Sequence, residues 1–259
     1  METKTLRLSE IFQKNKKCFI PFVTAGYPDL KTTKDVVLSL AAHGAHIVEL
    51  GIPFSDPIAD GPVIQRSSFD ALKHGYSIDD YLELVREVRR ESEVGLIFMS
   101  YMNPLYAFGL GRLDREAREA GLDGLLISDL TPEAYRRLDL ELTLDTIFLA
   151  APTSSEERLE KICRNSRGFV YVVARTGVTG KQTDIQALVP ETVRRIRTHT
   201  DLPVAVGFGI SSPEDARKVW QHADGAIVGT ALVRLIQENA GSADLAKKVG
   251  QFAAGFTEK

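Results

Sequence analysis

The sequence predicts an α/β protein folded as a single (β/α)8 TIM barrel, with an extra N-terminal helix and a short extra helix after the eighth strand. Three observations carry this. Short apolar runs recur along the whole chain, each is followed by a helical pattern, and there are eight of them. The runs are Cys18–Thr24, His46–Phe54, Gly95–Tyr101, Gly124–Leu130, Thr146–Pro152, Gly168–Ala174, Pro203–Gly209 and Gly225–Ala231. They are continuous and rich in Val, Ile, Leu and Phe, the pattern of parallel strands covered on both faces.

The segments between the runs carry helix signals in order. After the second run, Ser77 caps a helix with Asp80 at its third position, and Ile78, Tyr81, Leu82, Val85 and Val88 form one stripe. Thr131-Pro132 after the fourth run and Ser212-Pro213 after the seventh each place a capping residue before a proline at the first helical position. Gly44 and Gly121 stand where helices end. A last helix begins near Ser242 and spaces Leu245, Val249, Phe252 and Phe256 on one side. Strict alternation implies parallel pairing with right-handed crossovers. An open doubly wound sheet is the competitor, but no Gly-rich dinucleotide fingerprint follows the first run. No linker or composition break divides residues 1–259, so one domain is expected.

Composition narrows the function. With 44% hydrophobic and 26% charged residues in a chain of 259, a sizeable core is available. A net charge of -3 leaves no basic footprint for nucleic acid or an anionic membrane. Cys18 and Cys163 lack metal-ligand spacing and fit reduced thiols of a cytoplasmic protein. The polar stretch Met1 to Lys17 reads as neither signal peptide nor anchor, and no apolar run spans a membrane. His43 and His46 straddle a helix end and a strand start, so no shared metal is expected.

Active sites of such barrels lie at the carboxyl ends of the strands. Glu49 interrupts the second run. With a period of two, Ile47, Glu49 and Gly51 share one face and Val48, Leu50 and Ile52 the other, so Glu49 points into the barrel mouth. A carboxyl there is desolvated, which raises its pKa and suits acid–base work near neutral pH. A structural carboxylate satisfied by backbone N–H groups fits the strand equally well. Asp60 lies in a Pro-rich loop over the same mouth, although Ala-Asp-Gly is also a common turn sequence. Asp56 is equally ambiguous. Glycines end the last three runs, at Gly177 and Gly180, at Gly207 and Gly209, and at Gly229 before Thr230. Backbone N–H groups at such ends, with a helix start after Thr230, suit a phosphate. The aperiodic stretch Arg175 to Val189 has the length of a lid. The residues thus point to a phosphorylated small molecule and carboxylate chemistry without a metal.

The run Glu49–Gln65 (ELGIPFSDPIADGPVIQ) resembles the signature of the tryptophan synthase α-subunit family. Further matches are PFVTAGYP at Pro21–Pro28, SYMNP at Ser100–Pro104, SDL at Ser128–Leu130, APTS at Ala151–Ser154, RTGVTG at Arg175–Gly180 and GFGIS at Gly207–Ser211. They follow family order over nearly the whole chain. The resemblance implies retro-aldol cleavage of indole-3-glycerol phosphate into indole and glyceraldehyde 3-phosphate. It implies Glu49 as general acid–base and Asp60 as the acceptor of the indole N–H. Phe22, Ile64 and Leu126 would line the indole pocket, with Tyr171 beside the catalytic centre and Phe208 in the substrate site. Thr179 would bond Asp60 from a closed lid, and Gly180, Gly209, Gly229 and Thr230 would hold the phosphate. Asp56, Pro57, Asn103 and Pro104 would face a β subunit in an α2β2 heterotetramer. Pyridoxal phosphate is expected in that β subunit and no cofactor in this chain. Thr230 stands where serine is usual and keeps the hydroxyl. Two other functions compete: a phosphate-binding isomerase on the same scaffold, and a catalytically minor barrel acting mainly as an allosteric partner of β.

Overall fold

The computed structural model describes residues 8–138, 142–173, 188–207 and 209–257. Among them the elements run α1 (Leu8–Lys14), β1 (Cys18–Thr24), α2 (Leu30–Ala42), β2 (Ile47–Gly51), α3 (Pro62–Leu72), α4 (Ile78–Arg89) and β3 (Gly95–Ser100). They continue with α5 (Met102–Phe108), α6 (Leu110–Ala120), β4 (Gly124–Ile127), α7 (Pro132–Arg137), β5 (Asp145–Ile147) and β6 (Leu149–Ala150). The chain then forms α8 (Glu156–Asn165), β7 (Val170–Val173), α9 (Val189–Arg197), β8 (Val204–Gly207), α10 (Pro213–Trp220), β9 (Gly225–Val228), α11 (Thr230–Glu238) and α12 (Leu245–Ala254).

All strand pairs are parallel, in the order β5-β4-β3-β2-β1-β9-β8-β7-β6. The fifth predicted run is split at Phe148. Its first half pairs with β4 and its second with β7, so this one stretch of chain joins the two ends of the sheet. The nine strands therefore make the expected eight-unit (β/α)8 barrel. Most strands are shorter than their apolar runs, because the run ends continue into loops at the rim. Val189, expected at the end of the lid, already opens α9.

Strand alternation sorts the core into two layers. Phe19, Val23, Val48, Leu50, Leu96, Phe98, Leu125, Val170 and Val204 pack outward against the helices. Cys18, Ile20, Ile47, Ile97, Leu126, Ile147, Tyr171, Ala205 and Ile227 fill the interior. The inner layer ends on α1, whose Leu8, Ile11 and Phe12 belong to the same cluster. A side chain on Gly95, Gly124 or Gly225 would run into Ile11, Leu8 or Phe12 at 2.7, 2.8 and 3.2 Å. The missing Cβ atoms at the strand starts are what let this helix sit against the amino end of the barrel.

The expected caps are in place. Ser77 and Asp80 form a reciprocal capping box, as do Ser212 and Asp215, and Thr131 accepts from the Ala134 N–H. Gly121 ends α6 at φ +94°, a conformation that favours glycine; His43 caps α2 and Gly44 follows at φ +94°. The last helix starts at Leu245 and leaves Phe256 beyond its end, stacked on Phe19 at 4.7 Å. Two helices were not foreseen as separate elements: α5 leaves the end of β3 almost directly, α3 follows the loop 52–61 after β2, and both lie at the rim.

Candidate active site

Glu49 is the third residue of β2, beside Phe22 of β1 and Ile97 of β3 in register. Because Ile47 faces the interior and Val48 and Leu50 face the helices, Glu49 faces the interior as predicted. It is 0% exposed, and neither carboxylate oxygen has a hydrogen-bond partner among the described residues. Burial pushes its carboxyl up to about 8. The alternative of a structural carboxylate held by backbone N–H groups therefore does not describe this residue. A buried polar group without a partner costs stability, and such exceptions concentrate at sites of chemistry.

Tyr171, from β7, comes close enough that Glu49 and Asp60 both add to the effect of burial in raising its phenol. Its ring occupies the space above Gly207, where a Cβ would lie 2.3 Å from the hydroxyl. Gly51 makes the same allowance for Phe22, whose ring tip would be 2.3 Å from a Cβ there. These two close approaches shape the interior wall around Glu49.

Above it, Phe22, Gly51, Ile52, Asp60, Ile64, Ser68, Met99, Ser100, Tyr101 and Ser128 line a cleft. Phe22, Asp60 and Ile64 were expected there. Leu126 is fully buried in the interior layer, paired with Met99 of β3, rather than on the cleft wall. Asp60 is held by its loop: its N–H reaches the Pro57 carbonyl at 3.0 Å, and its carbonyl accepts from the Gln65 amide at 2.9 Å. Tyr101 was missed as a site residue, although SYMNP had been singled out. Its hydroxyl accepts the Ala59 N–H at 2.9 Å, and the nearby Asp60 carboxylate adds to burial in raising its phenol. The signal in the sequence was an aromatic with a polar tip at a strand end.

At the far side of the mouth, Gly209 follows β8 at φ +51° with open space where a Cβ would be. Gly229 follows the neighbouring β9 and begins α11 ahead of Thr230, with no side chain capping that helix. Its Cβ position is 3.6 Å from Phe22, so this rim adjoins the cleft wall. An uncapped helix start beside a left-handed glycine is suited to an anion. Thr179, Gly180, Phe208 and the lid stretch up to 187 lie outside the described residues.

Asp56 and Asn103 are exposed, and Pro57 and Pro104 half-buried, on the loop after β2 and on α5. The same two segments carry Ile58, 84% exposed, and Tyr106, 66% exposed, which sequence reasoning did not single out. Phe54 and Tyr101 bring the segments together, with ring centroids 5.3 Å apart. No group of three or more His, Cys, Asp or Glu side chains is placed to hold a metal among the described residues. His46 Nδ1 accepts the Phe19 N–H at 3.0 Å, so that nitrogen is already engaged.

Residues 8–258 match the family model described as tryptophan synthase alpha chain. The chain belongs to the tryptophan synthase alpha chain family. The tryptophan synthase alpha chain of Solibacter usitatus is 45% identical over 243 residues, 93% of this chain and 91% of that protein. The same protein of Geotalea uraniireducens is 44% identical over 96% of this chain and 94% of its own. Among solved structures, tryptophan synthase from M. tuberculosis in an aminoacrylate-bound form superposes with TM-score 0.84 at 35% identity, covering 96% of this chain and 99% of that one. Tryptophan synthase subunit alpha from Legionella pneumophila gives 0.85 at 35% identity, with 96% of each chain covered. An alpha chain of tryptophan synthase, and not an isomerase on the same scaffold, is what this fold and sequence describe. No helix among the described residues is long and apolar enough to cross a membrane.

Proposed function

We propose that this chain cleaves indole-3-glycerol phosphate by a retro-aldol reaction, with Glu49 as the general acid–base. The observation that carries the proposal is Glu49 itself: fully buried, without a hydrogen-bond partner among the described residues, and protonated at neutral pH. A neutral carboxyl in this position donates its proton to C3 of the indole ring. The resulting carboxylate assists removal of the proton from the adjacent glycerol hydroxyl as the carbon–carbon bond breaks. The bonding electrons return to the ring, giving indole, and the hydroxyl carbon becomes the aldehyde of glyceraldehyde 3-phosphate. One proton leaves the carboxyl and one returns, so the chain ends unchanged.

Asp60, on the cleft wall, accepts the indole N–H and stabilises the positive charge that develops on the ring. Phe22 and Ile64 bound the indole plane, Leu126 backs it from the interior layer, and Tyr171 packs beside the reacting carbons. The phosphate rests on Gly209, Gly229 and Thr230, completed by Gly180, with Phe208 beside it; Thr179 bonds Asp60 when the lid covers the substrate. The reaction asks no metal or cofactor of these residues.

The mouth also suits a docking surface for a tryptophan synthase β subunit, whose site uses pyridoxal phosphate, in an α2β2 assembly. Asp56, Pro57, Asn103 and Pro104 would meet it, with Ile58 and Tyr106 as apolar anchors. Large exposed side chains grouped at one rim are the feature that favours this face.

Indole release from indole-3-glycerol phosphate, measured for the wild type and Glu49→Gln with and without a purified β subunit, tests the proposal. Wild-type turnover should rise with β, and the variant should lose at least about 10²–10⁴-fold. Absence of release under both conditions would refute the lyase reading.

A further inference from the structure

Helix α3 sits at the rim with little apolar grip. Its buried residues are Ser67, Ser68 and Ala71, whereas Phe69 and Leu72 face solvent. None of its residues belongs to either layer of the core. Its first turn follows Gly61, so no side chain caps it. A helix that buries so little apolar surface takes its position from specific polar contacts.

Such contacts reach its first two turns from two elements. From α11, the Gln237 amide donates to the Val63 carbonyl at 2.9 Å. From the barrel, Thr24 at the end of β1 meets the Ser67 hydroxyl at 2.7 Å, and Ser67 donates to the Ile64 carbonyl at 2.9 Å. A hydroxyl has one proton, and that of Ser67 is committed to Ile64, so Thr24 is the donor in the pair. Both residues are buried, which keeps water from competing for this bond. The relay ends on the backbone of Ile64, and Ile64 and Phe22 both line the cleft. Phe22 and Thr24 share one face of β1. Thr24 thus ties the strand that carries one wall residue to the helix that carries the other.

We infer that the buried hydroxyl pair Thr24–Ser67 is a positioning device for the cleft wall, setting the gap between Phe22 and Ile64 that receives the indole ring. The inference rests on the proposed seating of the ring between these two residues and adds what holds them in place. Neither hydroxyl need touch the substrate; the pair acts through the backbone of α3.

Ser67→Ala and Thr24→Val each remove the pair with little change of shape. The walls touch the ring in the ground state and the transition state alike, so the loss falls on binding. In indole-release assays KM should rise about 5-fold or more, with kcat within about 2-fold of wild type. The dissociation constant of indole itself, measured by calorimetry, should rise by a similar factor. Thr24→Ser keeps the hydroxyl and should stay within about 2-fold of wild type in both readouts. Adding Thr24→Val to Ser67→Ala should weaken binding no further, because the bond is already gone. Wild-type KM and indole affinity in Ser67→Ala, or full additivity of the two substitutions, would overturn the positioning role while the reaction stands. Thr24→Ser as weak as Thr24→Val would assign the effect to packing and overturn it too. A wild type that binds indole but releases none from indole-3-glycerol phosphate would refute the lyase reading alone, and indole affinity in Ser67→Ala would still decide the positioning role.

Discussion

At the scale of single residues, the cost of keeping Glu49 dry is a property of the fold that can be measured without substrate. Its carboxyl titrates near 8 in the folded chain against an ordinary value of 4.5. Between these values the folded chain holds a proton that the unfolded chain has released. Stability therefore falls as pH rises through this window and levels off above about 8. From pH 6 to 8 the loss is about 3 kcal/mol, at roughly 1.4 kcal/mol per unit. Urea unfolding of the wild type and Glu49→Gln at pH 6 and pH 9 should show the variant gaining on the wild type by about that amount; parallel pH dependence would contradict it. The inward direction of Glu49 was legible because a strand has a period of two and its neighbours are unambiguous. Tyr101 was not legible in the same way. Its neighbours Ala59 and Asp60 lie 42 and 41 positions away, and nothing in local spacing reports that two rim loops cross.

At the scale of elements, the amino ends of β3 and β4 are tied to α4 by one buried ion pair. Arg89 and Asp123 meet at 2.5 Å with side chains 11% and 2% exposed, and Asp123 also accepts the Leu96 N–H at 2.8 Å. Desolvation outweighs the guanidinium here and pushes the Asp123 carboxyl up to about 6, so at pH 7 it is the ionised form that must be held. Arg89 further donates to the carbonyls of Gly121 and Val94, which leaves it satisfied only as a set. Asp123→Ala should cost about 3 kcal/mol in chemical denaturation at pH 7, because a buried guanidinium and a buried N–H each lose their acceptor. A change below about 1 kcal/mol would mean that the carbonyls alone suffice. A helix with a cap and a stripe, such as α4, was legible along its length, whereas for α10 only the start at Ser212-Pro213 was. The rim helices α3 and α5 were not, since Phe69 and Leu72 of α3 and Tyr106 of α5 leave large apolar groups in solvent and blur any stripe. The break at Phe148 was also hidden. A continuous apolar run records that a strand is buried on both faces, but not that its two halves serve different neighbours.

At the scale of the whole molecule, the two-layer core and the order of the strands follow from alternation alone, and the amino end depends on a helix that lies outside the repeat. Phe12 of α1 packs against Phe169 with ring centroids 5.5 Å apart and sits over Gly225. Phe12→Ala should lower stability by about 3–5 kcal/mol, because the rigid strand starts cannot collapse into the space it leaves. A loss under about 1 kcal/mol would show that α1 merely covers the barrel. The same helix has a consequence for traffic. With Leu8, Ile11 and Phe12 filling one end, the barrel is a cup and not a pipe. Whatever arrives over the rim departs over the rim. Both products of the proposed cleavage would leave by the way their substrate came, so anything resting on the rim is at once the door and the stopper.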